Sequence, residues 1–138
     1  MIRFDKENGI FYLNTKSTTY AIGVWNNEKL LHRYWGKRLV NPLNKTDLGD
    51  YKRRGFEAVD LPGANSDIIP FEYSTFGNAD MRIPSAEFTF SDGSRVSNLT
   101  YKGYEIIEGK PALEGLPATY CEEGDKVETL TIHLEDTY

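Results

Sequence analysis

The chain has 138 residues, the length of one ordinary domain, and a domain of this size buries about two thirds of the surface its unfolded form exposes. Hydrophobic residues make up 39% and charged residues 27%, a balance that excludes intrinsic disorder. The net charge of -5 argues against a general nucleic-acid binder, whose affinity depends on neutralising many phosphates.

The charge is uneven. Between Lys29 and Phe56 eight Lys/Arg stand against Asp47 and Asp50, a local +6 that leaves -11 for the remainder. Aromatics reach 13%, mostly nine Tyr and seven Phe, and flat rings favour the pleated, half-buried surface of a sheet. Arg3, Asp5, Lys6 and Glu7 interrupt any apolar leader, and no run approaches the roughly 18 apolar residues of a membrane span. The single cysteine, Cys121, forms no internal disulfide, which fits a reducing compartment, and a cytoplasmic location is expected.

In chain order, period-two alternation and turn residues predict strands near 2–4, 10–14, 18–25, 29–35, 85–91, 94–107, 118–122 and 127–135. Tyr20, Ile22 and Val24 share one face. Ala86, Phe88 and Phe90 share another, and so do Leu130, Ile132 and Leu134. Glu7-Asn8-Gly9, Asn26-Asn27, Asp92-Gly93 and Gly124-Asp125 supply turn residues between these runs. No window offers three amphipathic helical turns, so the expected fold is all-β, an antiparallel β-sandwich or part of one. Residues 39–70 carry Pro42, Gly49, Gly55, Pro62, Gly63 and Pro70 without a sustained period. So long an irregular loop is generally functional. The last apolar strand runs directly into Glu135-Asp136-Thr137-Tyr138, as in a truncated portion of a larger sandwich.

The chemistry-bearing residues are few. Glu122 and Glu123 follow Cys121, and their charge disfavours a reactive thiolate. His133 lies on the polar phase of its strand, and no Cys/His pair has metal-ligand spacing. Gly103, Gly109 and Gly115 are too far apart to cradle a phosphate. Glu122, Glu123 and Asp125 read as a solvated acidic turn. In "FGNADMRIP", residues 76–84, Asn78, Asp80 and Arg82 share a face if extended; they order the exit of the long loop or contact a ligand. In "HRYWGKRLV", residues 32–40, alternation sets His32 and Tyr34 opposite Leu31, Arg33 and Trp35, so Tyr34 and Trp35 cannot both lie in one core layer unless a bulge intervenes. Trp35 then serves as a core or interface anchor, or as a platform for stacking a sugar ring.

Four strings together, "LLHRYWGK", "EYSTFGNADMRIPSAEF", "DGSRVSNLTYKGYEIIEGKPALEGLPATY" and "ETLTIHLED", resemble the N-terminal β-supersandwich domain of the α-galactosidases of glycoside hydrolase family 36. The shared motifs are Tyr34-Trp35-Gly36-Lys37, the loop exit from Gly77 to Ser85, and Gly109 through Tyr120. One departure is Ser85-Ala86, where Pro-Ala is common. The resemblance implies that residues 1–138 are the N-terminal sandwich portion of a longer enzyme. In such an enzyme a (β/α)₈ barrel supplies two aspartates for retaining hydrolysis of terminal α-D-galactosides such as melibiose and raffinose.

It further implies that this portion holds no catalytic residue, is inactive alone and needs no cofactor or metal. The parent is implied to be a homo-oligomer, a tetramer in bacterial members, in which the 39–70 loop reaches a neighbouring active site. There Asp50, with Asp47 as competitor, is the candidate galactose contact. Neither nucleic acid nor membrane is an expected partner. Two other readings stay open: a stand-alone carbohydrate-binding sandwich whose cleft uses Trp35, Asp80 and Arg82, and an interaction domain with no ligand.

Overall fold

A computed structural model describes residues 1–44, 69–77, 83–115, 117, 121–122 and 124–138. Among the described residues six strands form two antiparallel sheets: β1 (Ile2–Asp5), β2 (Ile10–Asn14), β3 (Thr18–Trp25), β4 (Lys29–Lys37), β5 (Leu99–Glu108) and β6 (Glu128–Asp136). The first sheet is a meander in the order β1-β2-β3-β4, and the second is the β5-β6 pair. No helix occurs among the described residues, and none is therefore long and apolar enough to cross a membrane. The protein is an all-β antiparallel sandwich.

Local chemistry explains the tight turns. Asn26 and Asn27 both adopt positive φ, 51° and 61°, as a type I′ hairpin turn requires. Glu28 N–H donates to the Trp25 carbonyl at 2.9 Å and closes that turn. Between β1 and β2, Asp5 Oδ1 accepts from the Glu7 and Asn8 amides at 3.1 and 3.2 Å. These bonds hold the Asp5 carboxyl below its ordinary range, the largest contribution being the Asn8 side-chain amide.

Alternation sends apolar side chains to both faces of the first sheet. Phe11, Ile22, Val24 and Leu30 face the β5-β6 pair and meet Tyr101, Tyr104, Leu130, Ile132 and Leu134. Phe11 is fully buried, stacked on Phe4 with centroids 4.2 Å apart and edge-on to Tyr104 at 4.9 Å. A ring buried this way contributes about 1.5–3 kcal/mol of transfer free energy. On the opposite face Ile10, Tyr12 and Ala21 are covered by Tyr34, Leu39 and Leu43. The Tyr12 hydroxyl accepts from the Leu43 amide at 2.8 Å. The first residues of the 39–70 loop thus close the second face of the sheet; residues 45–68 lie outside the described ones.

Lys29 locks the two sheets at one end. It is 8% exposed and donates from Nζ to the Leu99 carbonyl at 3.0 Å and to Asn98 Oδ1. Burial pushes its pKa below the ordinary lysine value. One residue earlier, the Glu28 carbonyl accepts from the Tyr101 amide at 2.6 Å.

Three expected strands change. Residues 85–91 form no ladder: Ala86 makes a single bridge with Thr75, and Phe88 and Phe90 are 40% and 41% exposed. Instead Phe90 N–H bonds the Ser94 carbonyl at 2.9 Å, Gly93 turns at φ 84°, and Arg95 pairs with Glu87. The segment folds on itself, so its alternation has no partner strand. For the same reason β5 begins at Leu99 rather than at 94. Cys121 and Glu122 lie outside any strand, while 118–120 are outside the described residues.

Candidate functional site

The open flank of the sandwich, beyond the reach of the β5-β6 pair, gathers Tyr20, His32, Trp35 and Glu72. Their assembly depends on a break in the β3-β4 register. Ala21 pairs with Tyr34 but Ile22 pairs with His32, leaving Arg33 as an extra residue. This bulge corrects the expectation that His32 and Tyr34 share a face. Leu30 and His32 face the inter-sheet core side, and past the bulge Trp35 resumes that side opposite Tyr20. Arg33 and Tyr34 both take the other side: the Arg33 chain lies across Gly23, and Tyr34 packs on the Ile10-Tyr12-Ala21 cluster.

Gly36 has a separate reason to be glycine. The Tyr34 hydroxyl donates to the Lys37 carbonyl at 2.8 Å and passes 2.6 Å from where a Cβ on residue 36 would stand. The Tyr-Trp-Gly-Lys string therefore encodes a ring folded over a bare backbone, with the neighbouring tryptophan turned to the opposite face.

Glu72 arrives from the far end of the long loop. The His32 amide donates to the Pro70 carbonyl at 2.8 Å, and the Glu72 amide donates to the Leu30 carbonyl at 2.9 Å. Residues 69–72 thus run beside β4, with Leu31 bridged to Phe71. Glu72 accepts a hydrogen bond from the Tyr20 hydroxyl and stands 3.6 Å from His32 Nδ1. Burial first, and then the bond to Glu72, push the Tyr20 pKa up to about 12. The Tyr20 ring lies 5.3 Å from His32 and meets Trp35 edge-on at 6.3 Å. Trp35 itself is 76% exposed.

Of the residues expected at a site, Trp35 alone lies among those described. Asp47, Asp50, Asp80 and Arg82 lie outside them. Tyr20 and Glu72 are additions that the sequence reading missed. Alternation shows only that Tyr20 shares a face with Ile22 and Val24, and Glu72 sits just past the loop boundary in a stretch with no period to flag it. His133 pairs with Glu105 on the solvent face at 2.8 Å. Around Cys121, the Glu122 amide donates to Asp125 Oδ2 at 2.9 Å, closing an exposed turn. No group of three metal-ligating side chains occurs among the described residues.

Comparison with known proteins accounts for most of the chain. The family described as Glycosyl hydrolase family 36 N-terminal domain matches residues 28–138. The α-galactosidase Mel36A of Lactobacillus acidophilus is 36% identical over an alignment that takes in 99% of this chain and 19% of that protein. The crystal structure of the family 36 α-galactosidase AgaB from Geobacillus stearothermophilus superposes with a TM-score of 0.84 at 34% identity, covering 99% of this chain and 18% of AgaB. A variant of AgaA from the same organism, crystallised with raffinose, gives 0.80 at 33% identity, covering 92% of this chain and 18% of AgaA. The chain thus spans about a fifth of the length of these relatives.

Proposed function

The chain belongs to the N-terminal domain family of the family 36 glycosyl hydrolases, and on that premise we propose that it is the N-terminal sandwich portion of a cytoplasmic, oligomeric α-galactosidase acting on melibiose- and raffinose-type oligosaccharides. The observation that carries this reading is the near-complete coverage of the chain by α-galactosidases at 33–36% identity, joined to the fold similarity with AgaB.

In this reading the acids that cleave the glycosidic bond lie in a barrel beyond residue 138, and residues 1–138 alone release no sugar. The sandwich contributes assembly surface and one galactose contact from the 39–70 loop, Asp50, with Asp47 as the competing carboxylate. A carboxylate suits that position because it accepts two hydroxyl hydrogen bonds at once, which separates sugars differing in the direction of one hydroxyl. Trp35, exposed on the open flank, takes the role of interface anchor.

Kinetics of the full-length parent protein on raffinose test the assignment. Asp50→Ala is expected to lower kcat/KM by the equivalent of about 1–3 kcal/mol. Unchanged kinetics remove Asp50 from the site and transfer the test to Asp47→Ala. The carbohydrate-binding alternative, with Trp35, Asp80 and Arg82 in a cleft, predicts something different. Galactose added to the 138-residue protein would then change tryptophan fluorescence saturably, whereas the α-galactosidase reading expects no change.

A further inference from the structure

The two roots of the 39–70 loop are fastened to opposite faces of the same sheet. At the entry, the Leu39 amide donates to Thr19 Oγ1 at 3.0 Å and the Leu43 amide to the Tyr12 hydroxyl at 2.8 Å. Arg33 Nη2 donates to the Asn44 carbonyl at 3.1 Å. At the exit, the His32 amide takes the Pro70 carbonyl and the Leu30 carbonyl takes the Glu72 amide. One oxygen of the Glu72 carboxylate then accepts from the Tyr20 hydroxyl, and the other stands 3.6 Å from His32 Nδ1. Adjacent residues of β4, His32 and Arg33, thus serve the two ends of one loop.

Three features are hard to explain as packing alone. Gly23 lies inside β3, where a glycine weakens a strand and marks a close approach. A Cβ there would stand 3.0 Å from Arg33 Cγ and 3.1 Å from Cδ, so the missing side chain lets the arginine lie flat across the sheet. The bulge at Arg33 sends Tyr34 to the entry side and returns Trp35 to the side of Tyr20, the re-aiming that bulges perform. Glu72 places a half-buried carboxylate where an apolar side chain would avoid the desolvation cost. Apolar contacts tolerate sliding, whereas a satisfied polar network specifies one arrangement.

We propose that Arg33 and the Tyr20-Glu72 pair are positioning residues of the α-galactosidase: they fix the entry and exit of the 39–70 loop and so hold its carboxylate in register for the terminal galactose. This rests on the reading above that the loop supplies a galactose contact. A contact held in place before the sugar arrives spares the cost of ordering it on binding. The residues therefore act on affinity through the loop and touch no sugar themselves.

Steady-state kinetics on raffinose and trypsin cleavage test the proposal in the full-length parent. Arg33→Met keeps the aliphatic stem and loses the donors; Glu72→Ala releases the exit. Each is expected to raise KM about 5- to 10-fold with kcat within about 2-fold, the pattern of lost uniform binding. Cleavage after Lys45, Lys52, Arg53 or Arg54 should be at least about 10-fold faster than in wild type. Glu72→Gln retains an acceptor for Tyr20 and should restore KM to within about 2-fold of wild type. Gly23→Ala, which leaves Arg33 in place but displaces its stem, should reproduce Arg33→Met. Tyr20→Phe removes the exit bond from the other side and replaces Glu72→Ala if that variant does not fold. On an Asp50→Ala background, or Asp47→Ala if that is the contact, the positioning variants should change kcat/KM by less than about 2-fold. Multiplicative losses there overturn the proposal, as does a lowered thermal midpoint with both kinetic constants unmoved. Unchanged cleavage overturns the fastening of the roots whatever the kinetics. Faster cleavage with both Asp50→Ala and Asp47→Ala silent sinks instead the galactose contact, and with it the positioning role, and leaves the fastening standing.

Discussion

Replacing Phe11 with alanine tests the claim that one ring joins the two sheets. Phe11 is fully buried, with Phe4 stacked on it from β1 and Tyr104 and Tyr101 approaching from β5, 4.9 and 6.4 Å away between centroids. Truncation removes the transfer free energy of the ring and opens a cavity between strands that cannot collapse independently. Phe→Ala changes in such sites cost about 3–5 kcal/mol. Against a total stability of about 5–15 kcal/mol for a domain, that loss moves a urea midpoint far while leaving the m-value unchanged. The coupling between Phe11 and Tyr104, measured by a double-mutant cycle with Tyr104→Ala, should be about 0.5–1.5 kcal/mol beyond additivity. Phe88→Ala, at 40% exposure, is the control and should cost under about 1 kcal/mol. A Phe11→Ala loss below about 1 kcal/mol, or additivity with Tyr104, would show that the sheets are not held together through this ring.

Other substitutions probe other contacts. Lys29→Met leaves Asn98 Oδ1 and the Leu99 carbonyl without their ammonium donor and should destabilise by about 1–3 kcal/mol at pH 7. Because burial depresses the lysine pKa, the folded state sheds that proton first. Wild-type stability thus carries a contribution that rises with pH as the ordinary lysine value is approached from below, and chemical denaturation across that range should find it gone in the variant. Tyr20→Phe deletes the donor to Glu72. The raised Tyr20 pKa contributes stability that is fully present below pH 10 and lost as pH rises through about 12. Unfolding of the variant, compared with wild type, should lack that component of the alkaline loss. Gly77→Ala meets a φ of 95° and a Val96 methyl 2.8 Å from the new Cβ. A cost above about 1 kcal/mol is expected from thermal unfolding.

Much of the sandwich was legible because period-two alternation is local. Residues 10–14 and 18–25 become strands with the expected bounds, and Leu130, Ile132 and Leu134 reach the inter-sheet core as a set. The paired asparagines announced the hairpin between β3 and β4, since few residues other than glycine tolerate two successive positive φ angles. The open-flank site was much less legible. Glu72 reaches Tyr20 across 52 positions of sequence, a separation at which no local pattern carries information. The bulge at Arg33 shifts the phase of the side chains beyond it, so a reading by strict alternation paired His32 with the wrong neighbour.

By itself the sequence determined the all-β class, the identity of most strands, the turn chemistry and the motifs that mark the family. These follow from backbone preferences and from the two-residue period of a pleated chain. Tertiary structure alone decided which alternating segments found a partner, why 85–91 folds back on itself instead of joining a sheet, and which way Trp35 faces. The physical reason is that alternation says which side chains share a face, whereas a ladder needs a second strand whose position depends on contacts far away along the chain.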